Sequence, residues 1–131
     1  MSGSRIVEGP GFKIRYDVEP GYLRAHVYEG TDSLHVSLAM WRMLAEECRA
    51  VGADRLLVLE ELDSTVGVAE VVQIIDSMVD AGFRMFRTAF VELLDDIQGS
   101  EHGEILCLER GIVIRTFSDE DEARRWLLYG D

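Results

Sequence analysis

The sequence has no long hydrophobic run, and this absence excludes several classes of protein. None of its apolar segments approaches the roughly 20 residues that a helix needs to cross a bilayer, and residues 1–5 lack the apolar stretch of a signal peptide. GxGxxG, P-loop, GxSxG and HExxH motifs are also missing. We therefore expect a cytoplasmic protein, and we find no residues on which to base an enzymatic function.

Lysine and cysteine are scarce. Lys13 is the single lysine, and 13 basic residues stand against 25 acidic ones, which gives a formal net charge of −12. Nucleic acids and anionic membranes do not attract so acidic a surface without a local basic patch, and no such patch is visible in the sequence. Cys48 and Cys107 lie far apart, without a CxxC motif or clustered histidines, so we expect two free, buried thiols and no cofactor.

The apolar residues that are present suffice for one domain. The chain has 131 residues, of which 47% are hydrophobic, and this combination is typical of a single domain with a proper core. We assign residues 1–11 to a flexible N-terminal segment and residues 12–131 to the domain.

The centre of the sequence has the pattern of a strand, a turn and a helix. Residues 55–59 form a continuous apolar run, which is typical of a strand covered on both faces, and apolar residues recur with helical spacing from Val68 onward. The turn between them contains the candidate interaction residues Asp63, Ser64, Thr65 and Gly67. Short polar side chains accept bonds from the first N–H groups of a helix, and the same helix end favours an added phosphate. A helix cap at Ser64 and a phosphorylation site are both consistent with this pattern.

The rest of the chain completes an α/β pattern of five strands and four helices. Alternation over Phe12–Val18 and Tyr22–Glu29, with Pro20-Gly21 between them, predicts an antiparallel hairpin. Three further strands are predicted to alternate with helices, at residues 55–59, 87–92 and 113–117. Ser118 with Asp121 is predicted to cap the last helix. This order predicts a single α/β domain with a mostly parallel five-stranded sheet.

Acidic residues follow the predicted parallel strands. Because the carboxyl ends of parallel strands share one edge of a sheet, these residues should gather there. We call this set the acidic edge, and it consists of Glu60, Glu61, Glu92, Asp95 and Asp96. Such an edge could bind a basic partner or a divalent cation. The alternative is an ordinary placement of acids at helix starts, where they match the helix dipole.

Three features together resemble the STAS domains, which have the SpoIIAA-like fold of anti-sigma-factor antagonists. The first is Asp63-Ser64-Thr65 before Gly67, and the second is the stretch from Phe83 to Val91, which is shaped like the family's fourth strand. The third is the ending from Phe117 to Leu127, which is specific to the diverged branch described as STAS/SEC14-like. The resemblance covers the chain from about Phe12 onward.

The resemblance implies a regulatory module that binds proteins or small ligands without turning over a substrate. In anti-sigma-factor antagonists Asp-Ser is followed by Ser or Thr and then by Gly, and a partner kinase phosphorylates the first hydroxyl. Ser64 matches that position, whereas Val66 moves Gly67 one residue later. The family stacks its strands in sequential order with helices to one side. The SEC14-like label implies an alternative, which is a binder or carrier of a small apolar or lipid-like ligand.

The predicted hairpin also bears on assembly. Tyr16, Tyr22 and Tyr28 lie in it, and its outer side would leave apolar surface and unpaired backbone groups at an edge of the sheet. Because such edges commonly pair with a symmetry mate, we expect a homodimer.

Overall fold

The computed structural model describes residues 4–62, 67–93 and 97–130, which form a six-stranded sheet and four α-helices. The elements in chain order are β1 (Ser4–Gly9), β2 (Phe12–Glu19), β3 (Tyr22–Tyr28), α1 (Leu34–Val51), β4 (Arg55–Glu60), α2 (Val68–Asp80), a 3-10 turn (Phe83–Met85), β5 (Arg87–Glu92), α3 (Ile97–Glu109), β6 (Val113–Phe117) and α4 (Glu120–Tyr129). No helix in these described ranges is long and apolar enough to cross a bilayer.

The strands lie in the sheet in the order of the chain. β1, β2 and β3 are antiparallel neighbours, and β3 through β6 are parallel to one another. The predicted α/β class, with an antiparallel hairpin followed by parallel strands, is confirmed. The predicted count of five strands is wrong, because Ser4–Gly9, within the segment that we assigned as flexible, forms a strand that pairs with residues 12–17 of β2. Most side chains of β1 are exposed, so its sequence shows no burial pattern.

Helices cover both faces of the sheet. α1, α2 and α3 each connect two neighbouring parallel strands, and right-handed crossovers place such helices on the same face. α4 follows the last strand, so no crossover restricts it, and it packs on the opposite face. The arrangement therefore differs from the one-sided helices that the resemblance implies.

The central strand β4 is buried on both faces, as its apolar run predicted. Leu56 and Val58 pack in the larger core beneath α1, α2 and α3. Leu57 and Leu59 pack in a smaller core beneath α4. All four side chains are at most 3% exposed, which explains why residues 56–59 include no polar residue.

Aromatic rings and both thiols fill the larger core. Trp41 of α1 meets Phe83 edge-on with ring centroids 5.4 Å apart, and Phe90 of β5 lies 5.9 Å from the same indole. Cys48 and Cys107 are buried and free, which confirms the prediction for both.

Two helix ends show which polar residues act as caps. Ser33 caps α1 by accepting a hydrogen bond from the N–H of Val36 at 3.2 Å, and Gly52 ends the helix with a φ of 71°, which favours glycine. In α4 the cap is Asp119, which accepts a bond from the N–H of Glu122 at 3.0 Å. The predicted cap at Ser118 is therefore wrong by one residue.

The outer side of the β2–β3 hairpin is not an edge of the sheet. β1 pairs with the outer side of β2, so the edge strands of the sheet are β1 and β6. A homodimer stays a prediction, but the hairpin edge on which we based it is covered.

Candidate functional site

Two glutamates of the acidic edge lie side by side at the ends of β4 and β5. Glu60 and Glu92 are direct partners in the parallel register, and each is only 8% exposed. The pairing continues beyond both strands, since the N–H of Leu93 donates to the carbonyl of Glu60 at 3.0 Å. Neighbouring strands are about 4.8 Å apart, so the backbone holds these two residues close together in a water-poor position. The predicted convergence of the two glutamates is thus observed.

Glu61 is the more exposed member of the acidic edge. Its carboxylate lies 2.9 Å from Nε2 of His26 on β3, and 47% of its side chain is exposed. The ring of His26 lies 5.2 Å from that of Tyr28. His26 lies on β3, within the hairpin that the sequence predicts. The structure adds it to the acidic edge as a hydrogen-bond partner.

Asp32 and Glu70 adjoin the same edge from the starts of α1 and α2. Asp32 accepts hydrogen bonds from the N–H of Ser33 at 2.9 Å and from the hydroxyl of Ser37 at 2.6 Å. Burial raises the pKa of Asp32 above its usual 3.8, although these two bonds act in the opposite direction, and the charge of Glu70 adds to the rise. Asp32 follows β3 as Glu61 follows β4, so the rule that located the acidic edge could also have found Asp32.

The Ser64 turn lies largely outside the described residues. Asp63, Ser64 and Thr65 are outside them, as are Asp95 and Asp96 of the acidic edge. The N-cap of α2 is Gly67, whose N–H donates to the carboxylate of Glu70 at 3.1 Å. A cap by Ser64 at the N-cap position is therefore wrong, because that position comes three residues later.

The carboxylates that the structure places do not form a metal site. Within residues 4–62, 67–93 and 97–130, no group of three or more His, Cys, Asp or Glu side chains is arranged to hold a metal ion. What the described part of this edge offers is negative charge and hydrogen-bond acceptors.

A second feature, which we did not predict from the sequence, is an open cleft between β6 and α4. Its volume is about 430 Å³, and we call it the β6–α4 cleft. Its lining residues are Arg115, Phe117, Glu122, Arg125 and Tyr129. Alternate residues of a strand share one face, as do helical residues spaced three and four apart, so each half was visible in the sequence. Only the packing of α4 brings the halves together.

Two contacts hold α4 against the sheet beside this cleft. Arg24 of β3 pairs with Glu120 in the first turn through two hydrogen bonds of 2.7 and 3.2 Å. Near the other end, the Arg87 guanidinium lies 4.0 Å from the centroid of the Trp126 ring and donates to the carbonyl of that residue at 2.9 Å. The cleft therefore has a fixed wall on its helical side.

Two arginines of the cleft, unlike several others in the described residues, make no ion pair with a described carboxylate. Arg24, Arg110 and Arg124 each make an ion pair of 3.1 Å or shorter. For Arg115 and Arg125, the described parts of the chain supply no carboxylate within 4 Å. Glu104 interacts electrostatically with Arg115 at longer range, but an incoming anion would not have to break an ion pair with a described residue to reach either guanidinium group.

Comparison of the chain with protein-family models, with curated proteins and with solved structures gives no match. Functional interpretation therefore depends on the acidic edge and the β6–α4 cleft.

Proposed function

We propose that this domain is a non-enzymatic, STAS-like regulatory module that binds a basic segment of a partner protein at its acidic edge. The observation that supports this most directly is the convergence of carboxylates from three successive connections of the sheet. The described ones are Asp32, Glu60, Glu61, Glu70 and Glu92.

The two kinds of carboxylate have different roles in this proposal. Glu60 and Glu92 are buried beside each other, so they form the floor of the edge and are not the groups that a partner would contact directly. Glu61 is half exposed and is the group that a lysine or arginine of the partner would contact. The net charge of −12 favours encounter with a basic partner over an acidic one.

Ser64 supplies the regulatory step. It lies in the connection between β4 and α2, after Glu60 and Glu61 of the acidic edge and before Gly67. A phosphate there would add about −1.5 to −2 charges next to existing carboxylates. We propose that phosphorylation of Ser64 changes the affinity for the partner without changing the fold.

The test compares Ser64→Asp, Ser64→Ala and wild type by thermal melting and by pull-down from a lysate of the source cells. Because Gly67 occupies the N-cap position of α2, we expect both variants to melt within about 2 °C of wild type, while Ser64→Asp changes the amount of partner retained. Glu61→Gln should also reduce retention, because the partner loses an exposed carboxylate.

Ser4→Asp is the matched control, since it adds the same charge at an exposed position of β1, level with the amino end of β3 and so at the opposite edge of the sheet. It should leave retention unchanged. If a folded Ser64→Asp protein retains the same partner in the same amount as wild type, phosphorylation of Ser64 does not regulate binding. If Glu61→Gln leaves retention unchanged, the partner does not bind at the acidic edge.

The alternative function is a carrier of a small apolar or lipid-like ligand. The β6–α4 cleft does not favour it, because two arginines and a glutamate are among its lining residues. Native mass spectrometry of freshly purified protein separates the two functions. A retained apolar adduct would support the carrier, whereas bare chain mass together with a salt-sensitive protein partner would support the interaction module.

A further inference from the structure

We propose that the β6–α4 cleft binds a small organic anion in which a flat ring bears a carboxylate or phosphate group. This site is separate from the acidic edge, and it has the opposite local charge. Neither the net charge of −12 nor the resemblance to STAS domains points to an anion site here.

The first step concerns the two guanidinium groups. With 25 acids and 13 bases in the chain, an arginine has many carboxylates with which to pair. Arg115 and Arg125 have no carboxylate of the described residues within 4 Å, although Glu104 interacts with Arg115 at longer range, and both arginines line the same cleft. A guanidinium group presents a planar fork of donors that matches carboxylate and phosphate oxygens. Two such forks around one open space can engage one anionic group.

The second step concerns the aromatic walls. The ring of Phe117 is held in place by the buried Trp126, 5.8 Å away, and it lies 5.5 Å from the Arg115 guanidinium. On the opposite wall the side chain of Tyr129 is 76% exposed, so much of its ring is free for contact. A flat ring between these walls would remove apolar surface from water and stack on the aromatic faces.

The third step concerns size and competing charge. A volume of about 430 Å³ lies within the roughly 300–1,000 Å³ typical of small-molecule sites. Because the cleft is open, the ligand stays partly in water, and we expect a dissociation constant of about 0.1–1 mM. Glu122, three residues before Arg125, also lines the cleft and opposes an anion. Its removal should strengthen binding, which gives the proposal a test with the opposite sign.

The experiment titrates the protein with phenyl phosphate and observes the two tryptophan indole N–H resonances by NMR. Trp126 contacts Phe117 of the cleft, whereas Trp41 lies in the larger core on the other face of the sheet. We expect a saturable shift of the Trp126 resonance with little change at Trp41. Phenol and inorganic phosphate, which each supply only half of the ligand, should bind at least about tenfold more weakly.

Charge variants then test which residues hold the anion. Arg115→Gln and Arg125→Gln should each weaken phenyl phosphate binding by about fivefold or more, and Glu122→Gln should strengthen it about twofold. Arg42→Gln is the matched control, because Arg42 is an exposed arginine of α1 with no ion pair to a described residue. It should leave binding unchanged.

Three results would overturn the proposal. The first is the absence of a saturable Trp126 shift up to about 10 mM phenyl phosphate. The second is equal weakening by Arg42→Gln and by the two cleft variants, which would mean that only overall charge matters. The third is binding of inorganic phosphate as tight as that of phenyl phosphate, which would remove the aromatic walls from the site.

Discussion

The packing of α4 on the second face of the sheet predicts a large loss of stability for Leu127→Ala. The side chain of Leu127 is 1% exposed and belongs to the smaller core with Leu57, Leu59, Ala89 and Val91 of the neighbouring strands β4 and β5. Removing most of this side chain leaves a cavity directly against the sheet.

The expected magnitude follows from that position. Three buried carbon atoms at about 0.8 kcal/mol each give roughly 2.4 kcal/mol of lost transfer free energy. The backbones of β4 and β5 are paired on both sides, so they cannot easily move into the cavity, and the cavity adds to the loss. We expect about 3–4 kcal/mol in total, which is a large part of the roughly 5–15 kcal/mol that stabilises a typical domain.

The assay is urea unfolding followed by circular dichroism. A loss of this size should lower the urea midpoint by about 1–3 M. Leu108→Ala is the matched control, because Leu108 lies on α3 with 55% of its side chain exposed and undergoes the same chemical change. It should change stability by about 0.5 kcal/mol or less. A loss below about 1 kcal/mol for Leu127→Ala, or equal losses for both variants, would refute the packing of α4 described here.

Two further predictions concern titratable groups in buried positions. Burial raises the pKa of both Cys48 and Cys107 to about 12. Iodoacetamide at about pH 8 should therefore alkylate neither thiol in the native protein and both after unfolding. Alkylation of the native protein at the rate of an exposed thiol would contradict the burial. For Asp32 burial raises the folded-state pKa above 3.8, so its contribution to stability is full below the unfolded-state pKa and is lost as pH rises through the folded-state value. Wild type should therefore gain stability relative to Asp32→Asn between about pH 7 and about pH 4, measured as urea midpoints, and a constant difference over that range would show that the carboxyl group is not shifted.

Most elements were predictable because burial leaves a pattern in the side chains. Arg55–Leu59 is apolar at nearly every position since α4 covers one face of β4 and the other helices cover the opposite face. Ser4–Gly9 leaves no such pattern, because backbone pairing with β2 holds it while most of its side chains stay exposed. Ser118 and Asp119 are both good capping residues, and only the extended backbone at Asp119 decides between them.

The acidic edge and the β6–α4 cleft differ in the same respect, because the first was predictable from the sequence and the second was not. The sequence by itself determined that Glu60, Glu61 and Glu92 meet at one edge, because parallel strands joined by helical crossovers bring their carboxyl ends together. The β6–α4 cleft was decided only by the tertiary structure. No crossover follows β6, so the side on which α4 packs depends on the fit of Trp126 and Leu127 against the second face of the sheet, and that distant fit brings the two halves of the cleft together.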